Sequence, residues 1–131
     1  LRFMHTVKEL THADLVRLIQ IDYDREMALG VLRQRPGQAP EGCGVARLVG
    51  DPDGERAEFA IILTRDAVGM GLSSLLLRRL MGYARDQGIR ELFGEILADN
   101  QPMLALCRAM GFTLKSCPED HGVMIATLRL T

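Results

Sequence analysis

Short apolar runs, separated by turn-forming residues, predict most of the regular structure of this chain. Such runs predict strands over residues 2–7, 45–49, 58–63, 91–97, 112–117 and 123–130. The weak alternation of residues 2–7 favours an edge strand. Residues 59–63 are apolar on both faces of their strand, which predicts a central position in the sheet.

Three segments have the features of helices. In the clearest one, a set of apolar side chains shares one helical face, formed by Leu72, Leu75, Leu76, Leu80 and Tyr83. Gly88 is the C-terminal signal of this helix. A short helix is predicted after the N-cap residue Asn100, with Pro102 in its first turn and Gly111 at its end. A third helix is predicted after Thr11, with an apolar face of Leu15, Leu18 and Ile19.

The connections complete the predicted fold. Residues 34–44 hold two prolines and three glycines, which predicts a loop, and residues 50–54 predict a tight turn between two strands. The order is strand, helix, turn, three or four strands, helix, strand, helix and two strands. This order predicts the α/β class, with helices packed against one mixed sheet.

Composition limits the classes of function. The 131 residues are 47% hydrophobic and 25% charged, which predicts a single globular domain over residues 1–131. The net charge of −1, without a basic cluster, disfavours nucleic acid as a partner. No apolar run approaches the about 20 residues of a membrane span, so we expect no membrane partner.

Cysteines and histidines point to a chain without a metal. The three cysteines lack metal-ligand spacing and predict a reducing, cytoplasmic location. The three histidines, His5, His12 and His121, are scattered, so no metal site is predicted. Because the chain begins with Leu1 rather than Met, we expect this domain to be part of a longer protein.

The segment Val68-Gly69-Met70-Gly71-Leu72-Ser73 joins a predicted strand to the long predicted helix. Glycines let a backbone approach a ligand closely, and the free N–H groups of a first helical turn attract anions. This arrangement therefore predicts either a phosphate site or a plain strand–helix turn. A Walker loop is excluded because it requires a lysine, and residues 68–74 contain none. A Rossmann loop is excluded because Ser74 occupies the position of its third glycine.

Two motifs resemble the GNAT superfamily of N-acetyltransferases. The loop 68–73 and the leucines that follow it are similar to the family's acyl-CoA pyrophosphate loop, and residues 100–112 are similar to its second signature. More particularly, residues 21–28, 51–53 and 57–60 resemble the acetyltransferase domain of bacterial Pat-type protein lysine acetyltransferases. In many of these proteins the domain is joined to a region similar to acyl-CoA synthetases, which would explain the missing Met.

The resemblance implies a GNAT fold, with a mixed sheet of about six to seven strands and about four helices, and acetyl-CoA as the acyl donor. It implies that the donor contacts the main chain of the loop and its flanks, namely Ile61, Leu63, Val68, Gly69, Met70, Gly71, Leu72 and Ser73, and that the side chain of Asn100 bonds the donor's amide chain. Asn100 is alternatively a plain N-cap. A backbone N–H near Ile61 is expected to meet the oxyanion.

Acetylation of a lysine requires a neutral amine. With a pKa of about 10.4, only about one lysine in a thousand is neutral near physiological pH, so a nearby carboxylate must take the proton. Partial burial would raise the pKa of such a carboxylate toward the value that this task needs. Glu58 is the predicted base because it is the lone acid at the head of an apolar strand, and the resemblance supports it. Glu55 is the second candidate, although a solvated turn residue is expected there.

The acceptor side is predicted with alternatives. Asp22, Asp24 and Glu26 form an acidic turn that is either a docking patch for a basic protein segment or a solvated turn. Cys107 stands where the family often has a tyrosine that protonates the thiolate, and we expect it to be a buried apolar residue.

The predicted function is transfer of an acetyl group from acetyl-CoA to a protein lysine, by direct attack. The resemblance implies metabolic enzymes such as acyl-CoA synthetases as acceptors. Two alternatives stay open, a small-molecule amine N-acetyltransferase and a non-catalytic acyl-CoA-binding module. The second alternative is suggested by Val68, Ser73 and Cys107, which depart from the family's motifs.

Overall fold

The computed structural model describes residues 3–11, 14–69 and 71–131, which form one mixed sheet with helices packed against it. The eight strands found there are β1 (Phe3–Thr11), β2 (Asp14–Asp22), β3 (Glu26–Gln34), β4 (Glu41–Gly50), β5 (Arg56–Leu63), β6 (Glu91–Leu97), β7 (Thr113–Cys117) and β8 (Asp120–Arg129). The two α-helices are α1 (Leu72–Asp86) and α2 (Gln101–Ala109), and a 3-10 helix covers Arg65–Ala67. Neither α-helix in this part of the chain is long and apolar enough to cross a membrane.

The strand order is β1-β2-β3-β4-β5-β6-β8-β7. All neighbouring pairs are antiparallel except β5 and β6, which are parallel and are connected through α1. Because such crossovers are right-handed, α1 and α2 lie on the same face of the sheet. The prediction of β1 as an edge strand is confirmed.

The predicted helix after Thr11 is wrong, because residues 14–22 form strand β2 between β1 and β3. Val16 and Leu18 are fully buried whereas Arg17 and Ile19 are partly exposed, which is the alternation of a strand. The segment also contains β-branched residues, which favour strands. The described residues therefore contain eight strands rather than six to seven, and two α-helices rather than about four.

The predicted loop 34–44 is shorter than expected, because β4 already begins at Glu41. A register shift between Val31 and Leu32 lets the glycine-rich start of β4 pair with β3. Gly44 allows the close approach of β5, because a Cβ atom at this position would crowd the side chain of Leu63 and lie 3.0 Å from the carbonyl oxygen of Ile62. The remaining predicted strands and both later helices are confirmed within a few residues.

The two faces of the sheet differ in their cover. On the helix-covered face, α1 buries a set of apolar side chains that packs on β4 and β5, namely Leu72, Leu76, Leu77, Leu80, Met81 and Ala84. The other face, which we call the open face, presents Glu26, Arg47, Val49, Glu58, Ala60 and Ile62. Strand β5 is therefore central in the sheet, as its position suggests, but its side chains are buried on one face only. On the open face the apolar side chain of Ile62 is 67% exposed.

Candidate active site

Strands β5 and β6 separate immediately after Glu58. Their parallel pairing covers only residues 56–58 of β5 and 91–93 of β6. Beyond this point β5 pairs with β4 alone and β6 with β8 alone. One edge of the main chain of residues 59–63, which includes Ile61, is consequently free of strand pairing.

A groove lies beside the unpaired end of β5 and runs to the start of α1. It is lined by residues of β5, the glycine loop and the first turns of α1 and α2, namely Ile61, Ile62, Leu63, Val68, Gly69, Gly71, Ser73, Ser74, Asn100, Pro102, Met103 and Leu106. Ile61 and Ile62 belong to opposite faces of β5, so the groove reaches both faces of the sheet at the separation.

Most of the predicted donor-binding residues lie in this groove. Leu72 does not line it, because its side chain is buried in the core. Met70 lies outside the described residues. Sequence reasoning missed Ser74 and a set of α2 residues, Pro102, Met103 and Leu106. Met103 and Leu106 follow Asn100 by three and six residues, which places them on the same side of α2 as Asn100. This spacing was the signal in the sequence that could have identified them.

The glycine loop holds an unusual backbone conformation beside the groove. Gly69 and Gly71 have φ values of +92° and +78°, which side chains other than glycine rarely adopt. Gly71 is the N-cap of α1 and no side chain caps this helix end. The N–H of Leu75 donates to the carbonyl of Gly71 (3.2 Å), so the amides of Ser73 and Ser74 precede the first intrahelical bond. The start of α1 therefore presents N–H donors to an anion in the groove.

The residues before the loop are anchored by Asp66. Its carboxylate accepts hydrogen bonds from the hydroxyl of Thr64 (2.7 Å) and from the guanidinium of Arg33 on β3. Arg33 is buried, and Glu41 lies 3.7 Å from the same guanidinium. The 3-10 helix is thus fixed to β3 and β4 just ahead of Val68.

The Thr64 hydroxyl, and then the charge and hydrogen bond of Arg33, hold the pKa of Asp66 below its ordinary value of 3.8. A carboxyl group with a lowered folded-state pKa stabilises the fold above about pH 4, and this stability is lost as the pH falls through the folded-state value. We expect Asp66→Asn to flatten the dependence of Tm on pH below about pH 4, which thermal unfolding at a series of pH values would measure. Thr64→Val is expected to act in the same direction, and an unchanged pH dependence in both variants would contradict this role.

Glu58 lies on the open face at the point where β5 and β6 separate. Val49 of β4 and Phe93 of β6 are its cross-strand neighbours. Arg56, two residues earlier, donates to Glu91 (2.5 Å) and lies 4.2 Å over the Phe93 ring, so it is directed to β6. The carboxylate is exposed rather than partly buried as expected, because neither described helix lies on this face.

The acidic turn does not form a single patch. Glu26 lies on the open face, in the same cross-strand row as Val49 and Glu58, and its carboxylate accepts a hydrogen bond from Arg47 (2.9 Å). Asp22 is paired with Met27 and therefore belongs to the helix-covered face, where it accepts a hydrogen bond from Gln20. Asp24 is exposed in the turn between the two strands.

Other candidate residues have structural roles. Glu55 is exposed in the turn before β5, where Arg90 lies 3.4 Å from its carboxylate. Cys107 is fully buried and desolvation raises the pKa of its thiol to about 11, as expected for a small apolar residue. Asn100 caps α2 by accepting a hydrogen bond from the N–H of Met103 (3.2 Å), and it also lines the groove. Within the described residues, no cluster of histidine, cysteine and acidic side chains could hold a metal ion.

Comparison with known proteins agrees with this geometry. The family model "Acetyltransferase (GNAT) domain" matches residues 2–113. Acetyltransferase PA5475 of Pseudomonas aeruginosa is 33% identical over 129 residues, which cover 98% of this chain and 69% of that protein.

Two solved structures have the same fold. The GNAT domain of S. lividans PAT superposes with a TM-score of 0.60 at 24% identity, over 78% of this chain and 60% of that one. The structure of yncA from Salmonella typhimurium with its cofactor acetyl-CoA gives a TM-score of 0.63 at 22% identity, over 79% and 65% of the two chains.

A sheet that opens between two parallel strands, beside a glycine loop at a helix start, defines an acyl-CoA-dependent N-acetyltransferase. The chain belongs to the GNAT acetyltransferase family, and its acyl donor is acetyl-CoA. The groove fits this donor because it offers free helix amides to phosphates at one end and an unpaired strand edge to an amide chain at the other.

Proposed function

We propose that this acetyltransferase transfers the acetyl group directly to the ε-amine of a lysine side chain in another protein, with Glu58 as the general base. The observation that carries the proposal is the position of Glu58, the last residue of β5 that pairs with β6. Glu58 stands at the point where β5 and β6 separate, about 10 Å along β5 from Ile61, which lines the groove. The acetylated end of a donor in the groove would therefore reach the Glu58 side of the sheet.

The chain's own groups would divide the work as follows. Amides of the glycine loop and the first turn of α1 would hold the diphosphate, and the free edge of β5 would pair with the pantetheine arm. Bound acetyl-CoA supplies an activated thioester carbonyl. A main-chain N–H of β5 near Ile61 would donate to the developing oxyanion, and the Glu58 carboxylate would take the proton from the attacking nitrogen, directly or through a water.

The open face favours a protein as the acceptor. Small-molecule sites are concave and enclose most of their ligand. Glu58 instead lies among exposed residues of the open face, and Val49 beside it is 39% exposed. Such a surface admits the side chain of a folded or extended polypeptide. Of the acidic turn, Glu26 lies in the same row but is ion-paired with Arg47 (2.9 Å), and Asp22 lies on the other face, so neither supplies an unpaired negative charge beside Glu58.

The resemblance to Pat-type enzymes supports metabolic enzymes, such as acyl-CoA synthetases, as acceptors, and a larger protein that includes a synthetase-like region. We place the reaction in the cytoplasm, where the three free cysteines, Cys43, Cys107 and Cys117, would stay reduced.

The test is to incubate the chain with acetyl-CoA and either acyl-CoA synthetases or free polyamines and amino acids. Thiol release would report turnover, and mass spectrometry would locate the acetyl group. The proposal predicts acetylated lysines on the proteins. Turnover with free amines alone would support the small-molecule alternative, and the absence of thiol release with every acceptor would support a non-catalytic binding module.

The proposed role of the loop leads to a prediction for Gly71. Alanine there must adopt a left-handed conformation, at a cost of about 1–2 kcal/mol, or displace the amides at the start of α1. We expect Gly71→Ala to weaken acetyl-CoA binding about tenfold, as measured by calorimetry. Gly82→Ala, within α1 and with open space at its Cβ, is the matched control and is expected to leave the affinity unchanged. Equal affinities of both variants would contradict the role of the loop.

A further inference from the structure

We infer that the open face carries a second acceptor subsite, formed by Thr113, Lys115, Thr127 and Arg129, that binds a carboxylate of the acceptor protein while its lysine meets Glu58. We call these four residues the β7–β8 cluster. The inference rests on the proposed function, because it concerns how the acceptor of that reaction is recognised. It assigns a role to a part of the sheet that the donor groove does not use.

Strand register places the β7–β8 cluster on the same face as Glu58. Glu58 is paired with Phe93 on β6, Phe93 with Thr127 on β8, and Thr127 with Thr113 on β7. These residues form one cross-strand row, so their side chains lie on one face of the sheet. The row continues that of Glu26 and Val49, and it links the proposed base to the two threonines.

The cations of the cluster are left without ion pairs within the described residues. Arg129 is paired across strands with Glu91, but the carboxylate of Glu91 accepts a hydrogen bond from Arg56 instead. Lys115 is paired with Ile125, and the nearest acid in that row, Glu95, stands two strands away. Lys115 and Arg129 are exposed, and neither forms an ion pair with a carboxylate of the described residues.

The chemistry of the cluster fits a carboxylate. The four side chains line a single depression, together with Gly111 and Leu128. The two threonines are cross-strand partners at its centre, and Lys115 and Arg129 stand two residues from them in opposite directions along the sheet. Hydroxyl, ammonium and guanidinium groups can all donate to the same anion, and such charge-assisted hydrogen bonds are the stronger ones.

The spacing of the strands sets the position of this carboxylate in the acceptor. Thr127 is two strands and Thr113 three strands from Glu58, which corresponds to about 10 and 14 Å. An extended polypeptide advances about 3.3 Å per residue. An aspartate or glutamate about three or four residues from the lysine would therefore reach the cluster when the acceptor crosses the strands of the open face.

The experiment uses pairs of lysine peptides that carry aspartate or asparagine four residues from the lysine. The wild-type chain is expected to acetylate the aspartate peptide with kcat/KM about tenfold higher, the effect of two exposed charge pairs. The variant Lys115→Glu/Arg129→Glu is expected to lose this preference and to favour a peptide with arginine at that position. Arg85→Glu/Arg108→Glu, which changes the charge equally at exposed helix positions, is the matched control and is expected to keep the wild-type preference.

Binding without catalysis separates this inference from the proposed function. An aspartate peptide without lysine is expected to shift the amide resonances of Thr113 and Thr127, and the charge-reversed variant is expected to show no such shift. Equal acetylation of both peptides by the wild type and the variant, with no shift on binding, would overturn the subsite. Absence of acetylation of any lysine, with the shifts present, would instead overturn the proposed function.

Discussion

Replacing Glu58 with glutamine is expected to lower kcat about 100- to 10,000-fold, the usual contribution of a positioned general base. Glutamine keeps the shape of the side chain but cannot take a proton. The groove that would hold acetyl-CoA is lined by other residues, so the affinity for acetyl-CoA is expected to stay unchanged. Steady-state kinetics with a protein that the wild-type enzyme acetylates would measure kcat, and calorimetric titration would measure the affinity for acetyl-CoA.

The matched control for this experiment is Glu95→Gln. Glu95 is exposed on β6, on the same open face, but it lies beyond the point where β5 and β6 separate. We expect less than a twofold change in kcat for this variant. A Glu58→Gln enzyme with full activity would remove Glu58 as the base. Loss of acetyl-CoA affinity in the same variant would mean that the carboxylate acts in donor binding instead.

Local signals were sufficient for the elements that sequence analysis predicted correctly. Helix α2 has its N-cap at Asn100, its proline in the first turn and Gly111 just beyond its end, and all three signals are local. The segment 14–22 was misassigned because Leu15, Leu18 and Ile19 fit one helical face. The alternation of Val16 and Leu18 with Arg17 indicates a strand, but it is a weaker signal than the helical face. Pairing with β1 and β3 decides its structure, and such pairing depends on residues distant in sequence.

The candidate site was predictable where it is contiguous in sequence. Glu58, Ile61, Leu63 and the glycine loop follow one another along the chain, and the structure brings them to one groove or its end. The common row of Glu26, Glu58 and Thr127 could not be predicted, since it requires the register of strands that are not consecutive. The opposite faces of Asp22 and Glu26 depend on the register of the β2–β3 hairpin, which sequence analysis missed because it predicted a helix over β2.

Replacing Phe59 with alanine is expected to destabilise the fold by about 3–5 kcal/mol, as for other buried phenylalanines. Phe59 is 3% exposed, and its ring packs edge-on against Phe112, with 5.5 Å between centroids. It is also the first residue of β5 beyond the last pair with β6, so its loss is expected to weaken acetyl-CoA binding as well. Denaturant unfolding would measure the change, and Ile62→Ala on the open face, expected to cost about 0.5 kcal/mol or less, is the matched control.

Phe59 is expected to affect acetyl-CoA binding because its ring occupies the space above Gly94 of β6, next to the separation of β5 and β6. A Cβ atom at Gly94 would lie 2.6 Å from Cε1 and 2.7 Å from Cζ of Phe59, and the contact with Phe112 prevents the ring from moving away. Gly94→Ala is therefore expected to cost about 1–3 kcal/mol alone. Combined with Phe59→Leu, it is expected to cost less than the sum of the two single changes, because the smaller side chain leaves room for the methyl group. Strictly additive costs would contradict a direct contact, whereas coupling would mean that this ring helps to set the separation of β5 and β6.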